Sequence, residues 1–295
     1  MVKGRTTARP NEIAFRVGNT LIMTLVSIVT FYPFIYMLML SFSGGDTFGR
    51  ILLWPSGFTT VAYQIMINKL KFMDGMAVSA ARSLLGPVLT IFIIYMGAYA
   101  LSHQRLVFHK FFSRFVVFAM YFSAGLLPVY MNISNLRLSG TFWVYIIPYL
   151  VNVFELILIR TFIEDLPASL EESALIDGAN ELQVAFRIVF PLCLPVLAAV
   201  VLFEFVTQWN MYTDTLLYNA HKPEFFTLQY MLSNYLAKQL SFSPTDFVSK
   251  AQQQSLSMNS LRMAMTVVVC FPVVVVYPFL QKYFVKGILV GSIKG

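Results

Sequence analysis

Residues 171–191 read EESALIDGANELQVAFRIVFP, a hydrophilic stretch between two strongly apolar ones. Acidic residues are frequent in and just before it, and they are Glu164, Asp165, Glu171, Glu172, Asp177 and Glu181. The only basic residues nearby are Arg160 and Arg187, one at each edge. A short acidic segment that an apolar chain keeps in water indicates a surface presented to a soluble partner.

The same stretch predicts a helix-turn-helix. Prolines, which helix interiors exclude, bracket it at Pro167 and Pro191. The segment 170–177 is long enough for two helical turns, and Gly178 permits the backbone to reverse. A second helix is then expected over 179–189. Its apolar positions, expected on one face, are Leu182, Ala185 and Phe186.

Composition indicates a membrane protein. Hydrophobic residues make up 58% of the 295 residues, charged residues only 12%, and the mean hydropathy is +0.70. Soluble domains carry about 25% charged residues, whereas a membrane-spanning helix needs roughly 20 mostly apolar residues. Charge-poor windows therefore predict an all-α membrane protein. Its six transmembrane helices are expected near 18–41, 83–102, 112–132, 141–160, 190–210 and 263–284.

The distribution of Lys and Arg predicts the orientation. With the N-terminus inside, twelve of the 21 Lys and Arg residues fall in cytoplasmic segments. Both termini and the acidic stretch are then cytoplasmic, and the net charge of +7 reflects topology, not nucleic-acid binding. The predicted parts are an N-terminal tail with an uncleaved first helix (1–42), an extracytoplasmic loop (43–80) and a permease core (81–295). The core includes a cytoplasmic loop, 161–190, and an extracytoplasmic loop, 211–261.

Signatures of chemistry are missing from the chain. It has no phosphate-binding G-x-x-x-x-G-K-[ST] loop, no H-E-x-x-H and no G-x-S-x-G motif. His103, His109 and His221 lack the spacing of metal ligands. We therefore expect no catalytic residue, no metal and no cofactor on this chain, and hence no enzyme. Cys193 and Cys270 fall in predicted spans, where we expect them to pack as small apolar residues.

Polar residues inside the predicted spans are candidates for a solute path. Glu155 and Glu204 are the only acids there, and Glu204, Thr207 and Gln208 share one helical face. The candidate path residues are Tyr145, Tyr149, Asn152, Glu204, Gln208, Trp209 and Asn210. Hydroxyl-rich sugars suit such a mixture of polar and aromatic groups. Glu204 could equally pair with a neighbouring helix, Glu155 could be structural, and Trp209 could be an interfacial anchor.

The spacing Glu-Ala-Ala, three residues, Gly, nine residues, Ile-x-Leu-Pro resembles the cytoplasmic loop of the membrane subunits of bacterial ABC importers. Here Ser173 replaces the first Ala and Phe190 replaces the Leu. The resemblance implies that this loop docks into a groove on a separate ATPase, with Glu172 pairing to a basic group. The residues it assigns to ATPase coupling are Glu172, Ser173, Ala174, Asp177, Gly178, Ala179, Ile188 and Pro191.

Other segments resemble the carbohydrate importers of the maltose-importer type. They are Gly125-Leu-Leu-Pro128-x-Tyr130, Leu136-x-Leu138 with Thr141, and the end from Tyr277 to Gly295. The end is similar to that of a subgroup handling oligosaccharides, including acidic ones from pectin or alginate. The resemblance implies a second homologous permease subunit, two ATPase subunits that bind ATP and Mg, an extracytoplasmic sugar-binding protein, and a place in the bacterial inner membrane.

Two other functions stay open at the level of the sequence. One is an ABC permease for another solute, such as an amino acid, a peptide or a polyamine. The other is an ion-coupled secondary transporter or channel, which would place charges or broken helices at mid-bilayer. The sequence does not identify the sugar, its length or its charge.

Overall fold

A computed structural model describes residues 10–45, 49–68, 70–238 and 258–291. Within these ranges the chain is helical and forms no strand, apart from one antiparallel bridge between Ser43 and Phe58. The middle of the predicted loop 211–261, at 239–257, lies outside the described residues, as do the last residues of the C-terminal motif, 292–295.

The helices are α1 (Pro10–Ser41), α2 (Val61–Asn68), α3 (Phe72–Ser102), α4 (His109–Tyr121), α5 (Leu126–Asn135), α6 (Val153–Glu164), α7 (Ala168–Ile176), α8 (Glu181–Gln183), α9 (Phe190–Leu192), α10 (Leu194–Asn210), α11 (Thr213–Tyr218), α12 (Leu228–Lys238) and α13 (Met258–Gly291). A π-helix, Val184–Val189, joins α8 to α9. Three short 3-10 turns are Phe142–Tyr145, Ile147–Tyr149 and Pro223–Phe225.

Three segments are long and apolar enough to cross a membrane as single helices: Phe15–Ser41, Phe72–Ser102 and Met258–Pro278. Three further candidates are bent pairs. They are His109–Tyr121 with Leu126–Asn135 (113°), Phe142–Tyr149 with Val153–Glu164 (47°), and Glu181–Leu192 with Leu194–Asn210 (77°). If each pair is one span, the described chain has the six spans that the sequence predicts.

The breaks inside the bent pairs follow from local sequence. Gly125, with φ +82°, lies between α4 and α5 in a conformation that favours glycine. Pro148 has no N–H to continue a helix through the fourth span. Pro191 and Pro195 flank the third break, at Cys193.

The second span begins earlier than the sequence predicts. Helix α3 starts at Phe72, not near residue 83, and Arg82 lies inside it with no exposed surface. The prediction treated Arg82 as the water-facing end of an apolar window. It was wrong because Asp214, also placed in an outer loop, is buried and pairs with the Arg82 guanidinium.

The chain divides into two compact units, which are described separately. The first comprises 1–70 and 241–268. Its α1 is exposed along its apolar length, as lipid contact requires. The ring of Phe42 stacks on Phe58 and Tyr63, with centroids 5.5 and 4.9 Å away. The Ser260 hydroxyl donates to the Ser43 carbonyl at 2.8 Å, which ties the start of α13 to the end of α1.

The second unit comprises 71–240 and 269–295. Its core is an apolar cluster between α3, α6, the π-helix and α10. The buried members are Ile91, Ile94, Tyr95, Ala98, Tyr99, Leu101, Leu156, Ile159, Ile163, Val184, Ala185, Val189, Cys193, Val196, Leu197 and Val200. Cys193 thus packs as an apolar residue, as expected, and both cysteines are free thiols.

Candidate functional site

The acidic loop (residues 161–190) contains the predicted helix-turn-helix, and both sides of its turn are capped. Helix α7 ends in a Schellman motif, in which the N–H groups of Gly178 and Ala179 donate to the carbonyls of Leu175 and Ala174. Gly178 has φ +85°. The second helix starts at Glu181, not Ala179, because Asn180 and Gln183 form a capping box with bonds of 2.8 and 2.9 Å. The turn is therefore stiff.

The residues assigned to ATPase coupling fall into two groups. The exposed ones are Glu172, Ser173, Asp177, Gly178 and Pro191; the partly buried ones are Ala174, Ala179 and Ile188. Ala174 and Ala179 pack against the apolar core, so the loop has an anchored inner edge and a free outer edge. Sequence reasoning missed Ile176, which is 86% exposed one helical turn after Glu172. Ile176 could have been found from its spacing, because it is an apolar residue four positions after Glu172, a predicted contact residue.

The second helix of the loop buries a different face from the predicted one. Leu182 and Phe186 are exposed, whereas Val184, Ala185 and Val189 are buried. The π-helix over Val184–Val189 has a wider turn, so the 3.6-residue periodicity used for the prediction does not apply there.

Two side chains of α3, Tyr95 and Tyr99, and that of its C-cap, His103, contact the acidic loop. His103 Nε2 lies 2.7 Å from Glu171 Oε2. The Tyr99 hydroxyl lies 3.4 Å from Glu181 Oε2, and the Tyr95 hydroxyl donates to the Ala185 carbonyl at 2.5 Å. These contacts could not be read from the sequence, since the paired residues are 68, 82 and 90 positions apart in the chain.

The His103 imidazole is electrostatically tuned by this environment. Burial lowers its pKa, but the Tyr99 carbonyl, the hydrogen bond to Glu171 and the charges of Glu171 and Glu181 raise it by more. The pKa of His103 therefore lies above its ordinary value, and the protonated form strengthens the contact between α3 and α7.

A pocket of about 350 Å³ lies in the second unit, where α4, α6 and α10 meet. Its volume is typical of small-molecule sites, which are roughly 300–1,000 Å³. The lining residues are Ala119, Met120, Pro148, Tyr149, Val151, Asn152, Val153, Phe154, Glu204, Thr207 and Gln208. The structure thus brings together four of the predicted path residues: Tyr149, Asn152, Glu204 and Gln208.

The other three predicted path residues lie elsewhere. Tyr145 is fully buried and its hydroxyl donates to the Phe225 carbonyl at 2.6 Å. The indole N–H of Trp209 donates to the Val269 carbonyl at 2.9 Å, which makes it a packing residue. Asn210 is exposed and bonds to the Val206 carbonyl of its own helix. Tyr145 and Tyr149 diverge because the helix expected over 141–160 is broken between them.

Glu204 has both a place in the pocket and a neighbour on another helix. The Asn152 amide donates to Glu204 Oε1 at 3.3 Å, while Asn152 Oδ1 caps α6 by accepting from the Glu155 N–H at 3.4 Å. The buried Glu155 carboxyl lies beside that of Glu204. Glu204 therefore lines the pocket and also pairs with a neighbouring segment, its place on a solute path stays a prediction, and Glu155 belongs to the packing between α6 and α10.

A buried polar cluster that sequence reasoning missed surrounds Arg82. Its guanidinium donates to Asp214 Oδ2 at 2.6 Å and Oδ1 at 3.2 Å, and to Gln208 Oε1 at 2.8 and 3.1 Å. It also lies 4.6 Å from the centre of the Tyr145 ring. Gln208 therefore joins the pocket to a fully buried ion pair. The feature of the sequence that could have indicated this cluster is Arg82 itself, a single arginine at the edge of an apolar window.

Among the residues that the structure describes, no group of three or more His, Cys, Asp or Glu side chains could hold a metal ion. The arrangement is a pocket lined by polar and aromatic groups and an acidic loop with an exposed edge, both next to the common apolar core. The fold offers polar and aromatic contacts to a solute and an exposed acidic edge to a partner.

Comparison with known proteins found no matching family model. The chain is 34% identical to Protein LplC of Bacillus subtilis over 284 residues, which cover 95% of each chain. It is also 34% identical to the polygalacturonan/rhamnogalacturonan transport system permease protein YtcP of the same organism, over 92% of this chain and 96% of that one. A solved chain with a TM-score of 0.85 and 30% identity covers 94% of this chain and 99% of its own length. It comes from the crystal structure of a bacterial ABC transporter involved in the import of the acidic polysaccharide alginate.

Proposed function

This chain belongs to the family of permease subunits of ABC sugar and oligosaccharide importers, and on that premise we propose that it forms half of an oligosaccharide path driven by a separate ATPase. As a permease subunit it is an integral membrane protein and not itself an enzyme. We place it in the bacterial inner membrane, with both termini and the acidic loop in the cytoplasm. Its partners are a second homologous permease, two ATPase subunits that bind ATP and Mg, and an extracytoplasmic sugar-binding protein.

The outer edge of the acidic loop is the observation that carries the coupling part of this proposal. Glu172 and Asp177 are exposed acids, and the side chain of Ile176 between them is 86% exposed. An apolar residue flanked by carboxylates is complementary to a groove with an apolar floor and a basic rim. Such a groove on the ATPase would bury Ile176 and pair with Glu172, so docking would stabilise both.

The inner edge of the loop explains how docking would act on the membrane part. Both sides of the Gly178 turn are capped, and the loop packs against the same apolar core as α3, α6 and α10. Close-packed protein interiors transmit displacement because they compress little. A partner that moves the loop would therefore move the helices around the pocket.

The nature of the pocket and of the relatives favours an oligosaccharide cargo. Tyr149 offers a ring face, and Asn152, Glu204, Thr207 and Gln208 offer hydrogen-bonding groups. Relatives that cover most of this chain include the arabinooligosaccharide permease AraQ and the maltodextrin permease MdxG of Bacillus subtilis. An amino-acid, peptide or polyamine cargo has no such support, and an ion-coupled carrier does not fit the family.

Purification of the tagged chain from its native membrane in mild detergent tests the proposal. We expect a second permease and an ATPase to co-purify with hydrolytic activity. Glu172→Lys should lose the ATPase by reversing a docking charge, and Gly178→Pro should uncouple hydrolysis from uptake because proline cannot adopt φ +85°. Glu12→Lys, an exposed charge reversal on α1, is the matched control.

Two results would contradict the proposal. One is recovery of the chain alone and without ATPase activity, from membranes in which a known ABC complex stays intact. The other is normal uptake and normal ATPase recovery in both loop variants.

A further inference from the structure

We propose that Arg82 is a positioning residue, which fixes the Gln208 amide so that its N–H groups donate into the pocket to a sugar hydroxyl. This inference rests on the proposed function, because it names the chemical group that the pocket recognises in its cargo. It is carried by the geometry of the Arg82 cluster and by the residues that line the pocket.

The oxygen end of the Gln208 amide faces Arg82. A guanidinium has only donors, so the Gln208 atom at 2.8 Å from Nη2 and 3.1 Å from Nε must be the amide oxygen. The opposite assignment would place N–H against N–H. The orientation of this amide therefore follows from the chemistry of its partner. The Gln208 nitrogen, with two donors, faces away from Arg82.

The second step concerns why Arg82 itself is fixed. Its side chain and that of Asp214 have no exposed surface, and two guanidinium nitrogens bind the two carboxylate oxygens. The ring of Tyr145 lies 4.6 Å from the guanidinium carbon. Bidentate pairing fixes the plane of the guanidinium as well as its position. Arg82 is thus a rigid template for the amide that it binds.

The third step concerns the space around the amide. A Cβ added at position 86 would be in ordinary van der Waals contact with it, 3.4 Å from Gln208 Cδ and 3.5 Å from Nε2. Gly86 leaves that room free. Gln208 is a lining residue of the 350 Å³ pocket. With its oxygen bound to Arg82, the nitrogen is the polar atom that Gln208 offers to a cargo.

The fourth step identifies the ligand class. Glu204 lies four residues before Gln208 on the same helix, so the two side chains are neighbours and both line the pocket. The amide donates, and the carboxyl of Glu204 offers acceptor oxygens. A hydroxyl both accepts and donates, so it fits between them. The lining residues include neither Lys nor Arg, hence a cargo carboxylate would find no counter-charge among the side chains that line this pocket.

The test uses the whole importer in liposomes, with uptake of labelled saccharide and ATP hydrolysis measured together. The probes are arabino-, galacto- and maltooligosaccharides, oligogalacturonate and alginate oligomers, and the variants are then measured with whichever is transported. Gln208→Glu keeps an oxygen for Arg82 but turns the pocket-facing donor into an acceptor. We expect saccharide moved per ATP to fall roughly tenfold, the equivalent of one lost hydrogen bond.

Arg82→Lys tests the positioning role. Lysine can pair with Asp214 but lacks the planar fork that also holds Gln208. Alone it should lower saccharide moved per ATP, yet it should add no further loss in a Gln208→Glu background. Gln64→Glu, the same change at an exposed site on α2, should match the wild type. If Gln208→Glu does not assemble, Gln208→Met, of similar volume and without the amide, replaces it.

Failure of the proposed function and failure of the Gln208 and Arg82 roles give different results. A wild-type importer that moves none of the saccharides rejects the proposed function. Suppose instead that the wild-type importer works and that Gln208→Glu, or Gln208→Met in its place, moves within twofold as much saccharide per ATP as the wild type. Only the role of Gln208 is then rejected. Additive losses in the double variant reject the role of Arg82 as its template.

Discussion

Removal of the charge of Asp214 is expected to destabilise the second unit strongly. Asp214→Asn preserves shape, and its oxygen can still accept from the Thr215 N–H, as Oδ1 does at 2.8 Å. However, the new amide N–H₂ replaces Oδ2, which lies 2.6 Å from Arg82 Nη2. Two donors then face each other, and the guanidinium loses its countercharge where neither side chain is exposed.

The magnitude follows from the burial of the pair. A half-broken buried ion pair costs about 3–5 kcal/mol, because the remaining charge is left unpaired in a medium of low dielectric. The Tyr145 ring and the Gln208 oxygen still contact the guanidinium, so we expect the lower part of this range. With roughly 2–4 °C per kcal/mol for a chain of this size, the melting temperature should fall by about 6–12 °C.

The assay is the thermal unfolding of the detergent-purified protein, followed by the loss of the monodisperse peak on gel filtration. Asp165→Asn, the same change at an exposed position after α6, is the matched control and should shift the midpoint by less than about 2 °C. Arg82→Met combined with Asp214→Asn removes the unpaired cation and should be more stable than Asp214→Asn alone. The reasoning is refuted if Asp214→Asn melts with the control, or if the double variant is no better than the single one.

Three further substitutions test other contacts by the same thermal assay. His103→Gln should lower stability more at pH 6 than at pH 9. The raised pKa of His103 adds stability that is complete below its unfolded pKa of about 6.5 and is lost as pH rises through the folded value. A loss of stability that does not vary with pH would contradict this. Tyr145→Phe, which loses the hydroxyl and its bond to the Phe225 carbonyl, should cost about 0.5–1.5 kcal/mol. Tyr145→Leu should cost more because the ring over Arg82 is also lost; equal midpoints would argue against the ring contact. Gly75→Ala places a Cβ 2.5 Å from Met231 Sδ and should cost about 1–3 kcal/mol. The control Gly18→Ala, whose added Cβ has nothing within 4 Å, should not lower stability. If Met231→Ala restores the stability of Gly75→Ala, the clash with Met231 is its cause; if it does not, that clash is excluded.

The helices and the turn of the acidic loop could be predicted because their determinants are local. Apolar run length, Gly178 at a helix end and prolines at the bracketing positions act within a few residues. The structure adds Asn180, whose capping box moves the start of the second helix by two residues, and the π-helix over Val184–Val189, which changes the face that this helix buries. The exposed edge around Glu172 was likewise readable from the local density of charge.

The Arg82 cluster could not be predicted in the same way. Arg82 and Asp214 are 132 residues apart, and each taken alone looks like a residue that ends a span in water. Only their pairing in three dimensions makes burial of both favourable. The same reason hid the contact of His103 with Glu171, 68 residues away.

The path residues show a third situation, in which a local feature changed the geometry. Tyr145, Tyr149 and Asn152 share a face only if the fourth span is a continuous helix. Pro148 ends that continuity, so Tyr149 and Asn152 line the pocket while Tyr145 turns to Arg82. The proline was visible in the sequence, but the direction of the bend was not.

If the proposed function holds, helix α3 couples the acidic loop to the Gln208 amide. It binds Gln208 through Arg82 and contacts the loop through His103, about 31 Å away at 1.5 Å per residue. Thermodynamic reciprocity applies to any two sites coupled in this way. Cargo that favours one position of α3 changes the affinity of the loop for its partner. The partner then changes the affinity of the pocket for cargo by the same factor. Pro87, which lacks the N–H for one backbone hydrogen bond between the two ends, is the position at which we expect the helix to bend most easily.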